Sequence, residues 1–373
     1  VTRDEALALV GRWLAAANGH DASAFREIYA EDAVAVSPVF SELRGRDAIL
    51  ASWELTFATI PDVAVEASEV IVEGDRLAYL GRLTATDHNG WFGLAPTGGV
   101  ITYRVMVLCA VAGGKIVREE RMYDSAGLLE RLEKARLDQE LARAAEVQRA
   151  LLPRTAHVCG PWESVGDSVP CRAIGGDFFE LLDLPGGELG IVLGDVSGNG
   201  VPAALLAAML QGMLAADPQL GGPAATVARL NRRLTARHVG SRFATLVYAV
   251  LSPDGRLVAA NAGHNPPVLL GRHGIRRLRG GGPVVGLFAA AAFEEETLQL
   301  EPGDTLVMFT DGVTEACNPD DEELGDERLV ACLREAGPCP PAALLRRVFD
   351  TVREFCRGAE PADDVTVMVT RYR

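Results

Sequence analysis

The chain has 373 residues, 48% hydrophobic and 23% charged, which suits two globular domains and excludes a membrane-spanning composition. Acids outnumber bases 51 to 36, and the net charge of −15 argues against nucleic acid as the main partner, since phosphate backbones select basic surfaces. Seven cysteines stand without CxxC spacing, which argues against a disulfide framework or a zinc site, and Cys109, inside the apolar "MVLCAV", reads as core.

The first segment spans residues 1–127. Its opening, "VTRDEALALVGRW", lacks a charged-then-apolar leader pattern, so the expected location is the cytoplasm, with no membrane partner. Thr2 and Glu5 have capping-box spacing, and Leu7, Val10, Trp13, Leu14 and Ala17 recur as on one helix face. "ASAFREIYA" predicts a second helix. Alternating strands follow in "VAVEASEVIVEGDRLAYLGRLTATD" and "GGVITYRVMVLCAVAGGKIVREERMYD", with "EGD" and "AGGK" as hairpin turns. Helices followed by an antiparallel meander give an α+β layout.

Residues 128–152 contain no glycine or proline and predict one helix that ends at Pro153. Leu129, Leu132, Leu137, Leu141, Ala144, Val147 and Leu151 form an imperfect apolar stripe. The helix either packs on its own domain or pairs with a second copy as a coiled coil; the favoured expectation is a homodimer. The third segment, residues 153–373, alternates strands ("GELGIVLGDV", "FATLVYAVLSPDGRLVAANAGH", "DTLVMFTDGV", "DDVTVMVTRY") with helices expected over 201–216, 223–237, 327–336 and 341–357.

Acids recur at the ends of those apolar strands. Asp177 follows two glycines, Asp195 ends "IVLGD", Asp311 precedes a glycine in "FTDG", and Asp363 and Asp364 precede "VTVMV". One Asp–Gly is usually a turn. Several acids at the rim of one core need a cation to neutralise them, and no Lys or Arg neighbours them in sequence. Hard divalent ions do this with oxygen ligands alone, and glycines let backbone carbonyls approach.

Taken in order, "AAEVQRALLP", "GGDFFE", "GDVSGNGVPAALLAAML", "AGHNPPVLL", "FTDGVTEA" and "DDVTVMV" resemble the SpoIIE/RsbU branch of the PPM metal-dependent serine/threonine phosphatases, over roughly residues 142–373. The resemblance implies an α-β-β-α sandwich with two Mn²⁺ or Mg²⁺ ions between the sheets. Asp177, Asp195, Asp311 and Asp363 would serve catalysis as metal ligands, with Asp195 bridging, the Val196 carbonyl assisting, and Asp364 ranked below Asp363. His264 reads as a structural residue of its turn. Arg154 and Arg172 lie where some relatives place a phosphate-holding arginine, but in no matching motif. The substrate implied is a phosphorylated anti-sigma-factor antagonist.

Residues 3–132, with "PDV", "DHNGWFGLAPTGG" and "YDSAGLLERL", resemble the SnoaL-like polyketide cyclases, cone-shaped α+β domains around an apolar pocket. That resemblance carries His88 and Asp124 into the pocket region. The first domain is read as a sensor for a small apolar ligand, acting through the 128–152 helix. The alternatives are a non-catalytic ligand-binding transducer and a cyclase fused to a phosphatase domain.

Overall fold

Thr2 starts the first helix as its spacing to Glu5 predicts: its hydroxyl accepts from the Glu5 N–H, and the Glu5 carboxylate accepts from the Thr2 N–H at 2.8 Å. The computed structural model describes residues 1–91, 93–153, 156–216, 221–237 and 240–373, so Arg154 lies outside the described residues. The chain divides into two units, residues 1–140 and 141–373.

In the first unit, α1 (Arg3–Asn18) buries Ala6, Leu9, Val10, Trp13, Ala16 and Ala17. Its buried face is rotated from the expected stripe, for Leu7 is exposed. The helix expected over "ASAFREIYA" is a 3₁₀ turn, Ala22–Glu27, capped by Asp21. Beyond it the chain enters β1 (Tyr29–Ser37) and β2 (Ser41–Arg44). An unexpected helix, α2 (Arg46–Thr59), starts at Gly45 without a side-chain cap and buries Ile49, Leu50 and Trp53. Strands β3 (Ala64–Glu73), β4 (Arg76–Thr86), β5 (Val100–Ala112) and β6 (Lys115–Met122) complete one sheet in the order β2-β1-β6-β5-β4-β3. Gly113 and Gly114, between β5 and β6, have φ of 57° and 76°, left-handed values that a tight hairpin turn demands and that side chains resist. The sheet closes over an aromatic cluster in which Phe25 stacks on Trp53, with Trp13 edge-on to both.

Helix α3 (Ser125–Leu151) follows, and the boundary between the units falls inside it. Leu128 and Leu132 are buried beside Ile101, whereas Leu137, Val147 and Leu151 are exposed.

The second unit holds two six-stranded sheets. The first contains β9 (Phe178–Leu184), β10 (Glu188–Val196), β11 (Ala244–Leu251) and β12 (Arg256–Ala262), with short β15 (Gly281–Gly282) and β16 (Glu296–Gln299) beside β12. The second contains β7 (His157–Cys159), β8 (Trp162–Val169), β13 (Val268–Gly271), β14 (Gly274–Arg277), β17 (Thr305–Phe309) and β18 (Val365–Tyr372), in the order β14-β13-β17-β18-β8-β7. Period-two alternation builds the layers. Leu189, Ile191 and Leu193 of β10 meet Leu306 and Met308 of β17 between the sheets. Val192 and Val196, on the opposite face of β10, pack under α4 (Val201–Ala216) and α5 (Gly222–Thr235). Val307 and Phe309 of β17 pack under α7 (Gly325–Ala336) and α8 (Pro341–Cys356). The one-turn helix α6 (Asp311–Thr314) follows β17 directly. This is the α-β-β-α sandwich expected, and its four long helices fall within two residues of their expected bounds.

Candidate metal centre

Asp177 is buried just before β9, Asp195 lies in β10 opposite Thr245 of β11, Asp311 opens α6, and Asp363 and Asp364 precede β18. The two sheets thus deliver their acids to one place. Asp195 and Asp177 lie close enough to share a proton, and Asp195 also feels the charges of Asp311, Asp363 and Asp364. Burial first, and then those three charges, push Asp195 up to about 7. Burial, followed by Asp195, raises Asp177 well above the usual carboxylate range. Burial also raises Asp363, with Asp311 and Asp364 adding to it.

The backbone permits this crowding only because glycine stands at the close approaches. A Cβ on Gly176 would sit 2.6 Å from the Val196 carbonyl oxygen and 3.3 Å from Asp195 Oδ1. A Cβ on Gly312 would sit 2.1 Å from the Asp364 carbonyl oxygen. The Val196 N–H donates to the Gly176 carbonyl at 3.3 Å, so the loop carrying Asp177 and the end of β10 are tied at this point.

Asp364 uses both carboxylate oxygens within the protein. Oδ1 accepts from the Cys171 N–H at 2.8 Å, and Oδ2 accepts from the N–H groups of Gly176, at 2.7 Å, and Asp177, at 3.4 Å. It therefore shapes the 171–177 loop. Its oxygens, those of Asp363 and the Cys171 sulfur lie within 4.8 Å of one another. Burial, and next Asp364, push the Cys171 thiol up to about 11 and keep it protonated.

Three further groups brace the cluster; Thr310 and Gln148 lie inside the quoted motifs and Arg242 just before the "FATLVYAVL" strand, and sequence alone assigns none of them a role at the site. Thr310, the residue before Asp311, donates its hydroxyl to Asp177 Oδ2 at 2.8 Å and accepts from the Thr366 N–H. Arg242 Nη1 donates to the Ser197 carbonyl at 2.9 Å, holding the turn after Asp195. Gln148 of α3 pairs with both backbone groups of Gly175, donating to its carbonyl at 2.7 Å and accepting from its N–H at 3.1 Å.

His264 joins the sheets instead of facing the acids. The Phe309 carbonyl can only accept, so Nε2 carries the ring proton, and Nδ1 accepts from the Thr245 hydroxyl at 2.7 Å. Arg172 is exposed.

The donor set fits hard divalent cations. Its carboxylates and the Val196 carbonyl offer oxygen, the neighbouring Cys171 thiol stays protonated, and among the described residues no basic side chain pairs with any of the five carboxylates. The missing side chain of Gly176 also keeps the Val196 carbonyl and Asp195 Oδ1 uncovered.

The first unit holds a separate cavity of about 270 Å³ walled by Trp13, Trp53, Leu83, Tyr103, Val105 and Arg121. Neither His88 nor Asp124, both expected in this pocket region, lines it. The His88 ring is half exposed beside Asp62, and the exposed Asp124 accepts from the Gly127 N–H as α3 begins. Among the described residues, no helix is long and apolar enough to cross a membrane.

A family model described as Stage II sporulation protein E (SpoIIE) matches residues 185–373, and one described as a SnoaL-like domain matches residues 10–119. Protein IcfG of Synechocystis is 30% identical over 264 residues, covering 63% of this chain and 41% of that protein. Phosphoserine phosphatase RsbU of Bacillus subtilis is 27% identical over 249 residues, covering 63% of this chain and 70% of that protein. The solved SiaA-PP2C domain of Pseudomonas aeruginosa shares the fold, with a TM-score of 0.55 and 21% identity over 65% of this chain and 99% of that one. The chain thus spans less than half of the first curated relative.

Proposed function

Because the chain belongs to the SpoIIE family, we propose that it is a metal-dependent protein serine/threonine phosphatase whose Asp177, Asp195, Asp311 and Asp363, with the Val196 carbonyl, hold a pair of Mn²⁺ or Mg²⁺ ions. The observation that carries the reading is the convergence of these carboxylates, each raised or crowded by the others, with no basic partner among the described residues. Bound there, such cations supply Lewis acidity toward a phosphoryl oxygen and acidify a water. The protein's own part is positioning. Asp364 fixes the loop that presents Asp177, Thr310 orients the Asp177 carboxylate, and Arg242 holds the turn beyond Asp195. His264 remains a neutral tie between the sheets and moves no proton.

The substrate in this reading is a phosphoserine or phosphothreonine on a small anti-sigma-factor antagonist, a reading supported by the likeness to a phosphoserine phosphatase. The SnoaL-like unit acts as the ligand sensor, supported by its cavity. The chain works as a homodimer paired along α3, supported by its exposed Leu137, Val147 and Leu151. Sedimentation of the wild type as a dimer and of Val147→Glu as a monomer supports the pairing; a monomeric wild type contradicts it.

The activity is tested by phosphate release from a phosphoseryl peptide, with Mn²⁺ or with EDTA, for the wild type and Asp195→Asn. Turnover should require the cation and fall at least about a hundred-fold in the variant. Turnover that survives EDTA overturns the reading.

A further inference from the structure

The loop after Val285 exposes apolar side chains that the fold holds outward. Leu287 and Phe288 are 42% and 57% exposed, and Ala289, Ala290 and Ala292 are exposed beside them. Single exposed apolar residues are ordinary, but five within six positions make a patch. Asn231 of α5, buried to 1% exposure, spends both ends of its amide on this loop. Its Oδ1 accepts from the Gly286 N–H and its Nδ2 donates to the Phe288 carbonyl, each at 2.8 Å. A Cβ on Gly286 would stand 2.6 Å from Leu234 Cδ2, so the loop lies directly on α5. A backbone fixed twice by one buried amide keeps Leu287 and Phe288 at the surface.

The helix that holds the loop is basic at this end. Residues 229–242 carry five arginines and no acid, in a chain of net charge −15. Arg232, Arg233 and Arg237 are exposed, and among the described residues no carboxylate pairs with them. Apolar anchors with unpaired cations beside them select the reverse arrangement in a partner, an apolar side chain set among acids. An anionic lipid surface offers that charge too, but the net charge of the whole chain opposes it.

The patch also borders the metal centre. Val196 pairs with Ala244, Ala244 pairs with Val285, and Gly286 follows. Two strand spacings amount to about 10 Å. A protein–protein contact of ordinary size covers about 800 Å² on each partner, a disc of about 16 Å radius. A protein whose phosphorylated residue enters the centre thus reaches the patch with its flanking surface.

We propose that Leu287 and Phe288, with Arg232, Arg233 and Arg237, form the surface on which the phosphoprotein substrate docks, through an apolar side chain carried in an acidic segment. The choice of occupant rests on the phosphatase reading, and the test separates the two.

The probe is phosphorylated β-casein, an acidic chain with interspersed apolar residues. Its binding to the full chain is followed by fluorescence anisotropy in EDTA, apart from turnover. Turnover of casein and of p-nitrophenyl phosphate is measured separately with Mn²⁺. Leu287→Ser/Phe288→Ser should weaken casein binding about ten-fold. Arg232→Glu/Arg233→Glu should weaken it about as much at low salt and remove most of its salt dependence. Both variants should raise KM for casein, keep wild-type turnover of p-nitrophenyl phosphate, and retain native near-ultraviolet circular dichroism. A wild type that turns over neither substrate overturns the phosphatase reading, while the binding data judge the patch on their own. The docking proposal is overturned by absent casein binding or by binding unchanged in both variants. It is overturned equally if the variants instead lose self-association in sedimentation, or lose binding to phosphatidylglycerol vesicles and not to casein.

Discussion

Replacing Gly176 by alanine adds one methyl group at the narrowest point of the acidic cluster. The new carbon would stand 2.6 Å from the Val196 carbonyl oxygen, about 0.8 Å inside ordinary contact, and 3.3 Å from both Ala203 Cβ and Asp195 Oδ1. Relief has one direction. Gly176 must retreat from the end of β10, and Asp177 goes with it, while Asp364 still holds the N–H groups of Gly176 and Asp177. A displacement approaching 1 Å among reacting groups costs about a hundred-fold in rate. Overpacking costs a further ~1–3 kcal/mol of stability. Gly212→Ala is the matched control. Its Cβ meets nothing within 4 Å on α4, so it should stabilise the helix by about 0.5–1 kcal/mol and leave the rate alone. Cation-dependent phosphate release and urea unfolding of both variants decide the matter. A Gly176→Ala protein with wild-type kcat would refute the claim that the Gly176–Val196 approach sets the geometry of the centre.

Asp364→Ala strands the N–H groups of Cys171, Gly176 and Asp177, and should cost about 2–4 kcal/mol in urea unfolding; a loss below ~0.5 kcal/mol would show that the loop does not depend on it. Burial holds His264 at about 4 when folded, against the ordinary histidine value of 6.5, so the unfolded chain binds its proton more readily. The stability contributed by the neutral ring is complete above about pH 6.5 and is lost as pH falls toward 4, by about 3 kcal/mol in all. The stability gap between the wild type and His264→Gln should therefore narrow between pH 7 and 4.5, and a gap independent of pH contradicts the buried neutral ring. Arg242→Ala frees the Ser197 carbonyl and should lower kcat more than it raises KM for a small phosphoester; an effect confined to KM would make Arg242 a substrate contact.

Much of the second unit was legible because each of its signals is local. Apolar strands end on an acid beside a glycine, and alanine- and leucine-rich runs with capping or breaking residues mark the helices. Asp364 shows where locality ends. Its sequence neighbourhood matches that of Asp363, and only the fold reveals that its oxygens are engaged by the 171–177 loop. The first unit was less legible. Helix α2 has neither a capping side chain nor a long apolar stripe, and it forms because Trp53 completes the aromatic cluster. The string "KIVREERM" lies in an expected strand, but nothing in its sequence marks its charges for burial, since charge usually goes with exposure. The sheet nevertheless turns Glu119 and Arg121 inward together, where each makes the burial of the other tolerable. His88 and Asp124 follow the opposite course: both have the chemistry of a pocket, yet the His88 ring is half exposed beside Asp62, the exposed Asp124 accepts from the Gly127 N–H, and neither lines the cavity.

The most direct test of the account is calorimetric titration of the cation-stripped chain with Mn²⁺, for the wild type and Asp195→Asn. The wild type should bind a pair of ions, and both should be lost when the Asp195 carboxylate becomes an amide. A wild type that binds no Mn²⁺, or an Asp195→Asn protein that binds it with unchanged affinity and stoichiometry, would contradict the claim that these acids converge in order to hold metal.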